Sequence, residues 1–290
     1  MNSFIYPEIK EKDRTYGSTI ISPIILMNGD WRDFLPPHES QSQNNVEPSS
    51  CYIEAQQASI ATLQEATYGI LDRNYTARFN ALLSKGTPNG GDPIKGATSM
   101  KKDGLISQEL MDWEDVNSWE DYHSWKGVDK NECKRQGKLE ASIWDKKWKI
   151  VFEKDYPIEV KYANLKEALK RAPVSISVCA WYERNGLYYK PKGARDTHLV
   201  EAIYLDDKGQ TYIRDTYPPY IKVIEKDTDF EFAMYWTIRK LSTEERLKNA
   251  QKSLIIKLYE YIYRLFKQAY QAGKDSVSVG WQLVQETFRG

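Results

Sequence analysis

Four short segments follow one another after Pro173: "VSISVCAWY", "HLVEAIYLD", "QTYIRDTY" and "YIKVIE". Each is rich in β-branched and aromatic residues, and Asp207-Lys208-Gly209 supplies a hairpin turn between the second and third. Such a series predicts an antiparallel sheet. The chain before it reads as helical. One helix is expected from Cys51 to about Ala66, carried by Ile53, Ala58, Ala61 and Leu63. A second fits "NYTARFNALLSK", followed by the turn "GTPNGGDP", and a third fits "IKGATSMKKDGLI" with a stop near Gly104. "NLKEALKRA" is a further helix, closed by Pro173. Residues 110 to 150 are rich in Trp, Asp and Lys and do not read as one element. Helices first and an antiparallel sheet second predict an α+β fold.

Beyond about Leu241 the character changes. "STEERLKNAQKSLIIKLYEYIYRLFKQAYQAG" reads as one long helix with a Ser-Thr-Glu-Glu start and Gly273 as its stop. Leu254, Leu258, Tyr261 and Leu265 form a stripe flanked by Ile255, Ile262 and Phe266. That stripe either packs on the main domain or serves docking or self-association through residues 241–272. Membrane-surface adsorption is disfavoured, because the polar face mixes Glu260 with Lys257 and Lys267. The expected organisation is an N-terminal arm over 1–29, a main domain over 30–240, and a C-terminal helix and tail over 241–290.

The bulk numbers exclude several classes. The 290 residues carry 41 basic and 41 acidic side chains, a net charge of zero, so no global field favours nucleic acid. Twenty Tyr and nine Trp suit exposed grooves or broad contact surfaces. The start, "MNSFIYPEIKEKDRTYGS", has no apolar core of signal-peptide length, and no later run is long enough to span a membrane. A soluble protein is expected, cytoplasmic or virion-associated. His38, His123 and His198 show no metal-ligand spacing, and "GTPNGG" lacks the Gly-Lys-Ser/Thr ending of a phosphate loop. No metal and no cofactor are expected.

Cys51 is the residue with chemical promise. It follows Pro48, Ser49 and Ser50 and opens the first helix, where the N-terminal dipole favours a thiolate. A structural cysteine is the competing interpretation. The other two cysteines, Cys133 in "KNECKRQ" and Cys179 in "ISVCAWY", read as exposed and core respectively. A nucleophilic thiol needs a base, and the base needs an orienting partner. His198 opens one strand of the hairpin and Asp215 ends the other, so pairing of the two strands brings them together.

In order and spacing these residues resemble the papain-like cysteine peptidases. His198 follows Cys51 by 147 residues, within the family's separation. "DWR" at Asp30–Arg32 resembles the start of mature papain-like domains, and Gln43, thirteen residues on, matches the family's oxyanion-hole glutamine. "NGG" at Asn89–Gly91 resembles the glycine-rich wall of the substrate cleft, and "PVSISV" the strand lining the opposite wall. "HLVEAIYLDDKGQTYIRDTY" resembles the segment from the histidine to the third triad residue, with the aromatic that follows it at Tyr217. The resemblance covers roughly residues 25 to 240. It implies a two-subdomain fold, a protein or peptide substrate, and catalysis by Cys51, His198 and Asp215. Gln43 and the Cys51 N–H bind the oxyanion in that scheme, Asn89, Gly90 and Gly91 pair with substrate backbone, and Tyr217 shields the His198–Asp215 bond.

The departures are specific. The chain reads Pro-Ser-Ser-Cys-Tyr at the nucleophile instead of Cys-Gly-Ser-Cys-Trp, and Pro88 stands where the disulfide partner precedes the Asn-Gly-Gly. Gln43 lies eight residues before Cys51 instead of six, which makes Asn45 a rival donor. Asp215 replaces the usual Asn. Only 29 residues precede Asp30, a short plug for the cleft in place of a long pro-segment. Such disulfide-poor variants resemble those of phages or uncultured bacteria. Two other functions compete: a catalytically silent scaffold with a structural or docking role, and a peptidoglycan-directed or transglutaminase-like Cys-His-Asp enzyme.

Overall fold

The computed structural model describes residue 5 and residues 25–38, 40–70 and 74–271, the last helix with only part of its side chains. The chain divides into two compact units, Met1–Lys240 and Leu241–Gly290.

The first unit is α+β. Helix α1 spans Cys51–Tyr68 and is the central strut, packed against the helical layer on one side and the sheet on the other. It starts where the carbonyl of Ser50 accepts from the amides of Ile53 (2.8 Å) and Glu54 (3.1 Å). It stops at Gly69, whose left-handed backbone (φ 60°) lets its N–H close on Gln64 and Glu65. Because α1 is enclosed, it buries polar side chains as well as apolar ones. Gln57 is satisfied by Thr76 O and Asn80 Oδ1, both at 3.1 Å. The helical layer comprises α2 (Ala77–Ser84), α3 (Pro93–Asp103), α4 (Trp119–Tyr122) and α5 (Lys130–Ile143). Asp92 caps α3 by accepting from Ile94 N at 2.8 Å, with Pro93 at the first helical position.

The sheet has eight strands: β1 (Trp144–Glu153), β2 (Val174–Val178), β3 (Glu183–Arg184), β4 (Leu187–Tyr188), β5 (His198–Leu205), β6 (Thr211–Arg214), β7 (Ile221–Ile224) and β8 (Phe232–Lys240). Their spatial order is β1-β8-β2-β5-β6-β7-β4-β3, antiparallel except for β4 beside β7. Helix α6 (Ile158–Leu169) joins β1 to β2. The expected hairpin forms: Gly209, at φ 81°, donates to Asp206 O at 3.0 Å, and Asp206 Oδ1 accepts from Lys208 and Gln210 N–H. The N-terminal side of the unit is anchored by Trp31. Its indole donates to Leu169 O at 2.6 Å and its amide to Ile203 O at 3.0 Å, and the side chain is fully buried. Burial of a Trp that size contributes on the order of 3 kcal/mol or more.

Two long strands were not visible as such in the sequence. Residues 110–150 hold α4, α5 and most of β1, and β8 lies in "FAMYWTIRK". β1 begins at the residue after α5 ends, with no Gly or Pro to mark the change, and β8 is buried along most of its length and so lacks alternation. In the second unit α7 spans Thr243–Gln271. Leu258, Tyr261 and Leu265 of the expected stripe are exposed, whereas the side chains of Leu254, Ile255 and Phe266 and the tail from 272 lie outside the described residues. No described helix is long and apolar enough to cross a membrane.

Candidate active site

Cys51, His198 and Asp215 meet where the N-terminus of α1 faces the β5–β6 hairpin. Cys51 is the first residue of α1, His198 the first of β5, and Asp215 follows the last residue of β6. The hairpin register sets Glu201 opposite Arg214, so Asp215 lies diagonally across from His198. Their side chains meet at 2.7 Å, His198 Nε2 to Asp215 Oδ1. The ring's other nitrogen is left for Cys51, to which His198 is hydrogen-bonded. Cys51 Sγ also accepts from the backbone N–H of Leu199 at 3.4 Å. All three side chains are buried, and Cys51 is 0% exposed.

The electrostatics follow from that enclosure. Burial by itself depresses an imidazolium, but the charges of Cys51 and Asp215 outweigh it and raise His198 to about 10. Burial likewise disfavours the Asp215 carboxylate, yet His198 and Lys222 hold its pKa below the ordinary value. Lys222 on β7 donates to Asp215 Oδ2 at 2.6 Å and to the carbonyls of Tyr217 and Pro219 at 2.6 and 2.7 Å. Two rings flank the imidazole: Trp181 edge-on at 5.7 Å and Tyr217 tilted at 5.4 Å. Tyr217 donates its hydroxyl to Glu47, and burial together with that carboxylate pushes the phenol's pKa up.

The glutamines divide differently from their spacing. Gln43 is half-buried and its amide donates to Ser40 O at 3.4 Å, while its backbone forms an isolated bridge with Val46. Asn45 is exposed with φ 60°. The amide that joins the hydrogen-bond network beside His198 and Asp215 belongs to Gln41, which is fully buried. It donates to Tyr217 Oη at 3.0 Å and to Glu47, and accepts from Thr216 Oγ1 at 3.2 Å. Gln41 and Lys222 are not marked by any local sequence signal, since Gln41 lies 175 residues from Thr216 and Lys222 stands on a strand like any solvated lysine.

Asn89, Gly90 and Gly91 form the tip and exit of a tight turn in which Thr87 and Gly90 exchange backbone hydrogen bonds of 2.9 and 2.8 Å. A Cβ on Gly91 would fall 2.1 Å from the Tyr52 ring, so this turn lies flat on the residue after Cys51. Gly91 O accepts from the N–H of Ile5 at 3.2 Å, which brings one residue of the N-terminal arm to this turn; the remainder of 1–24 lies outside the described residues. The loop before Cys51 is tied to the same turn by Ser49 Oγ, which donates to Pro88 O at 3.0 Å. All three cysteines are free thiols.

The remaining sequence-based candidates lie elsewhere. Cys133, expected to be exposed, is buried with Phe79, Ile106 and Met111, its Sγ 3.4 Å from Leu110 O. The charged "KNECKRQ" text misled because only one face of α5 is apolar. His123 is half-buried and stacks on Trp119 at 4.1 Å, and His38 stacks on Tyr220. No cluster of three or more His, Cys, Asp or Glu among the described residues could hold a metal ion.

Several solved structures share this architecture. A recombinant stem bromelain precursor superposes with a TM-score of 0.54 at 17% identity, over 72% of this chain and 69% of that one. Xylellain, a cysteine protease from Xylella fastidiosa, gives a TM-score of 0.54 at 14% identity, over 83% of this chain and 96% of its own. The fold is that of the papain-like cysteine proteases. No family model matches the chain, and no curated relative matches it. At these identities the likeness carries the papain-like architecture alone, so what the site does rests on its own geometry.

Proposed function

We propose that the protein is a papain-like cysteine peptidase that hydrolyses peptide bonds through Cys51, His198 and Asp215. The observation that carries this reading is the continuous, buried hydrogen-bonded chain from Cys51 through His198 to Asp215 on a papain-like fold. His198 takes the Cys51 proton, giving a thiolate–imidazolium pair, and the thiolate attacks the substrate carbonyl. The oxyanion develops at the mouth of α1, where the Cys51 N–H belongs to the first turn of backbone donors. Spacing assigns the second donor to Gln43, both amide hydrogens of Gln41 are already given to Tyr217 and Glu47, and the paired variants Gln41→Ala and Gln43→Ala separate the two. His198 returns the proton to the leaving amine, and water then cleaves the thioester. Asn89, Gly90 and Gly91 pair with the extended substrate, a role supported by the acceptance of the Ile5 N–H by Gly91 O.

Complete enclosure of Cys51 favours a second reading, a closed and catalytically silent scaffold. An epoxide-type thiol inhibitor separates them, applied to the full chain and to a variant lacking residues 1–24, with mass mapping of the modified residue. The peptidase reading expects modification confined to Cys51, faster in the truncated protein and absent in His198→Ala. A folded truncated protein whose Cys51 stays unmodified sinks it and leaves the scaffold.

A further inference from the structure

Lys222 is a lysine with 2% of its side chain exposed, placed on the far side of Asp215 from His198. Nothing in the peptidase chemistry calls for it. Its surroundings are unusually complete: three acceptors at 2.6, 2.6 and 2.7 Å match the three N–H bonds of an ammonium, whereas a neutral amine has only two. The Trp181 ring lies 4.9 Å from Nζ and that of Tyr188 5.7 Å, so aromatic faces cover what the acceptors leave. The same Trp181 ring abuts His198.

Asp215 is equally committed. Its Oδ1 accepts from His198 Nε2 and from the Thr216 N–H, both at 2.7 Å, and its Oδ2 faces only Lys222 among the bonds seen. An amide at position 215 would have to present either an NH2 group to the Lys222 ammonium or one to the His198 ring and Thr216 N–H. The aspartate and the lysine therefore require each other.

We propose that Lys222 is a positioning residue of the triad: it fixes the Asp215 carboxylate in line with His198 and offsets its charge, so that the Asp215–Lys222 pair presents the imidazole with a nearly neutral hydrogen-bond acceptor. The inference rests on the peptidase reading for its meaning and adds to it. A carboxylate buried at 2.7 Å from the imidazole favours the imidazolium, and an ammonium on its far oxygen offsets part of that effect. Other charged or titratable groups around the pair come from several elements: Cys51 and Glu54 on α1, Glu47 in the loop before it, Tyr188 on β4 and Tyr217 after β6. Glu47 is engaged by Tyr217, Gln41 and the Ser49 N–H, and among the described residues Lys222 is the cation that contacts Asp215 besides the His198 ring.

The test is a pH titration of the His198 ring by nitrogen-15 NMR on the full chain, its signal assigned by loss in His198→Gln. Lys222→Met is expected to raise the midpoint by about one pH unit, because the Asp215 charge is no longer offset. Asp215→Asn is expected to lower it, and the double variant to return close to the parent value. A lysine that serves only to fill space leaves the midpoint where it was in Lys222→Met, and that result overturns the proposal. If Lys222→Met does not fold, Asp215→Asn and Asp215→Asn/Lys222→Met are compared, since removing both charges leaves neither buried alone. Equal midpoints there overturn the proposal, and a higher one in the double variant upholds it. Epoxide modification of Cys51 on the same samples reports on the peptidase reading separately: a protein whose midpoints move but whose Cys51 never reacts retains the charge pair and loses the peptidase.

Discussion

Cys51 and Cys133 are both fully buried thiols in the first turns of helices, one opening α1 and the other in α5. Their surroundings differ in kind. Cys51 meets an imidazole, a backbone N–H and, one bond further, a carboxylate. Cys133 meets a phenylalanine, an isoleucine, a methionine and the carbonyl of Leu110, and burial pushes its thiol pKa up, with Asp129 adding to the effect. The helix N-terminus is common to both, so it cannot be what activates either one. The partner brought in from the sheet decides.

The histidines make the same point. Burial depresses both, yet His123 falls to about 4 while His198 rises to about 10, because Cys51 and Asp215 outweigh burial at His198 whereas the Trp119 carbonyl and Glu120 do not at His123.

The largest expected effect breaks this comparison directly. Cys51→Ala lowers kcat/KM for peptide hydrolysis by about four orders of magnitude or more, while Cys133→Ala leaves it within about twofold and lowers stability by about 1–2 kcal/mol through a small cavity. Steady-state kinetics and urea unfolding on the same two variants check both halves.

Next in size is Gly91→Ala. The added methyl collides with the Tyr52 ring, so a loss of about 1–3 kcal/mol is expected together with a raised KM, as the turn is pushed off the residue after Cys51. Unchanged stability and KM would mean that the turn is free to shift.

The histidines give opposite pH signatures. The His198 value in the folded protein lies above its unfolded value of about 6.5, so its contribution to stability is fully present below about pH 6.5 and is lost as pH rises through about 10. The value for His123 is lowered, so its contribution is present above about pH 6.5 and is lost as pH falls through about 4. Unfolding free energies measured from pH 8 down to 4 are expected to show the parent losing stability relative to His123→Phe as pH falls below about 6.5.

The smallest effect concerns the tie between the loop before Cys51 and the turn at 87–91. Ser49→Ala removes the bond to Pro88 O and is expected to destabilise by about 1 kcal/mol. That bond spans the two loops which the papain-like resemblance joins by a disulfide, one of whose positions Pro88 occupies; a variant with no measurable change would show that packing of Tyr52 on Gly91 holds the loops alone.

What the sequence determined by itself was everything written within one element. The helix starting at Cys51 and the turn at Asp207-Lys208-Gly209 are set by neighbours a few residues apart, and the strand pairs of the hairpin follow from that turn. His198 and Asp215 were legible as a pair for the same reason, since a hairpin is nearly local. The order of motifs then placed Cys51 with them. Tertiary structure alone decided the rest. β8 is buried along most of its length and lacks the alternation of a half-exposed strand, and β1 starts directly after α5 with no Gly or Pro to mark the change. Cys133 sits in text so charged that only the packing of α5 shows which face turns inward. Gln41 instead of Gln43 enters the triad's surroundings because the loop before Cys51 folds back at Asn44 and Asn45 in left-handed conformations that spacing does not count. Lys222 was silent because a lysine on a strand is normally solvated. It becomes a buried ammonium only when β7 pairs with β6 and the chain between them supplies two carbonyls and a carboxylate. Local chemistry is written in adjacent letters, whereas the charge that balances a buried group is chosen by which strands happen to be neighbours.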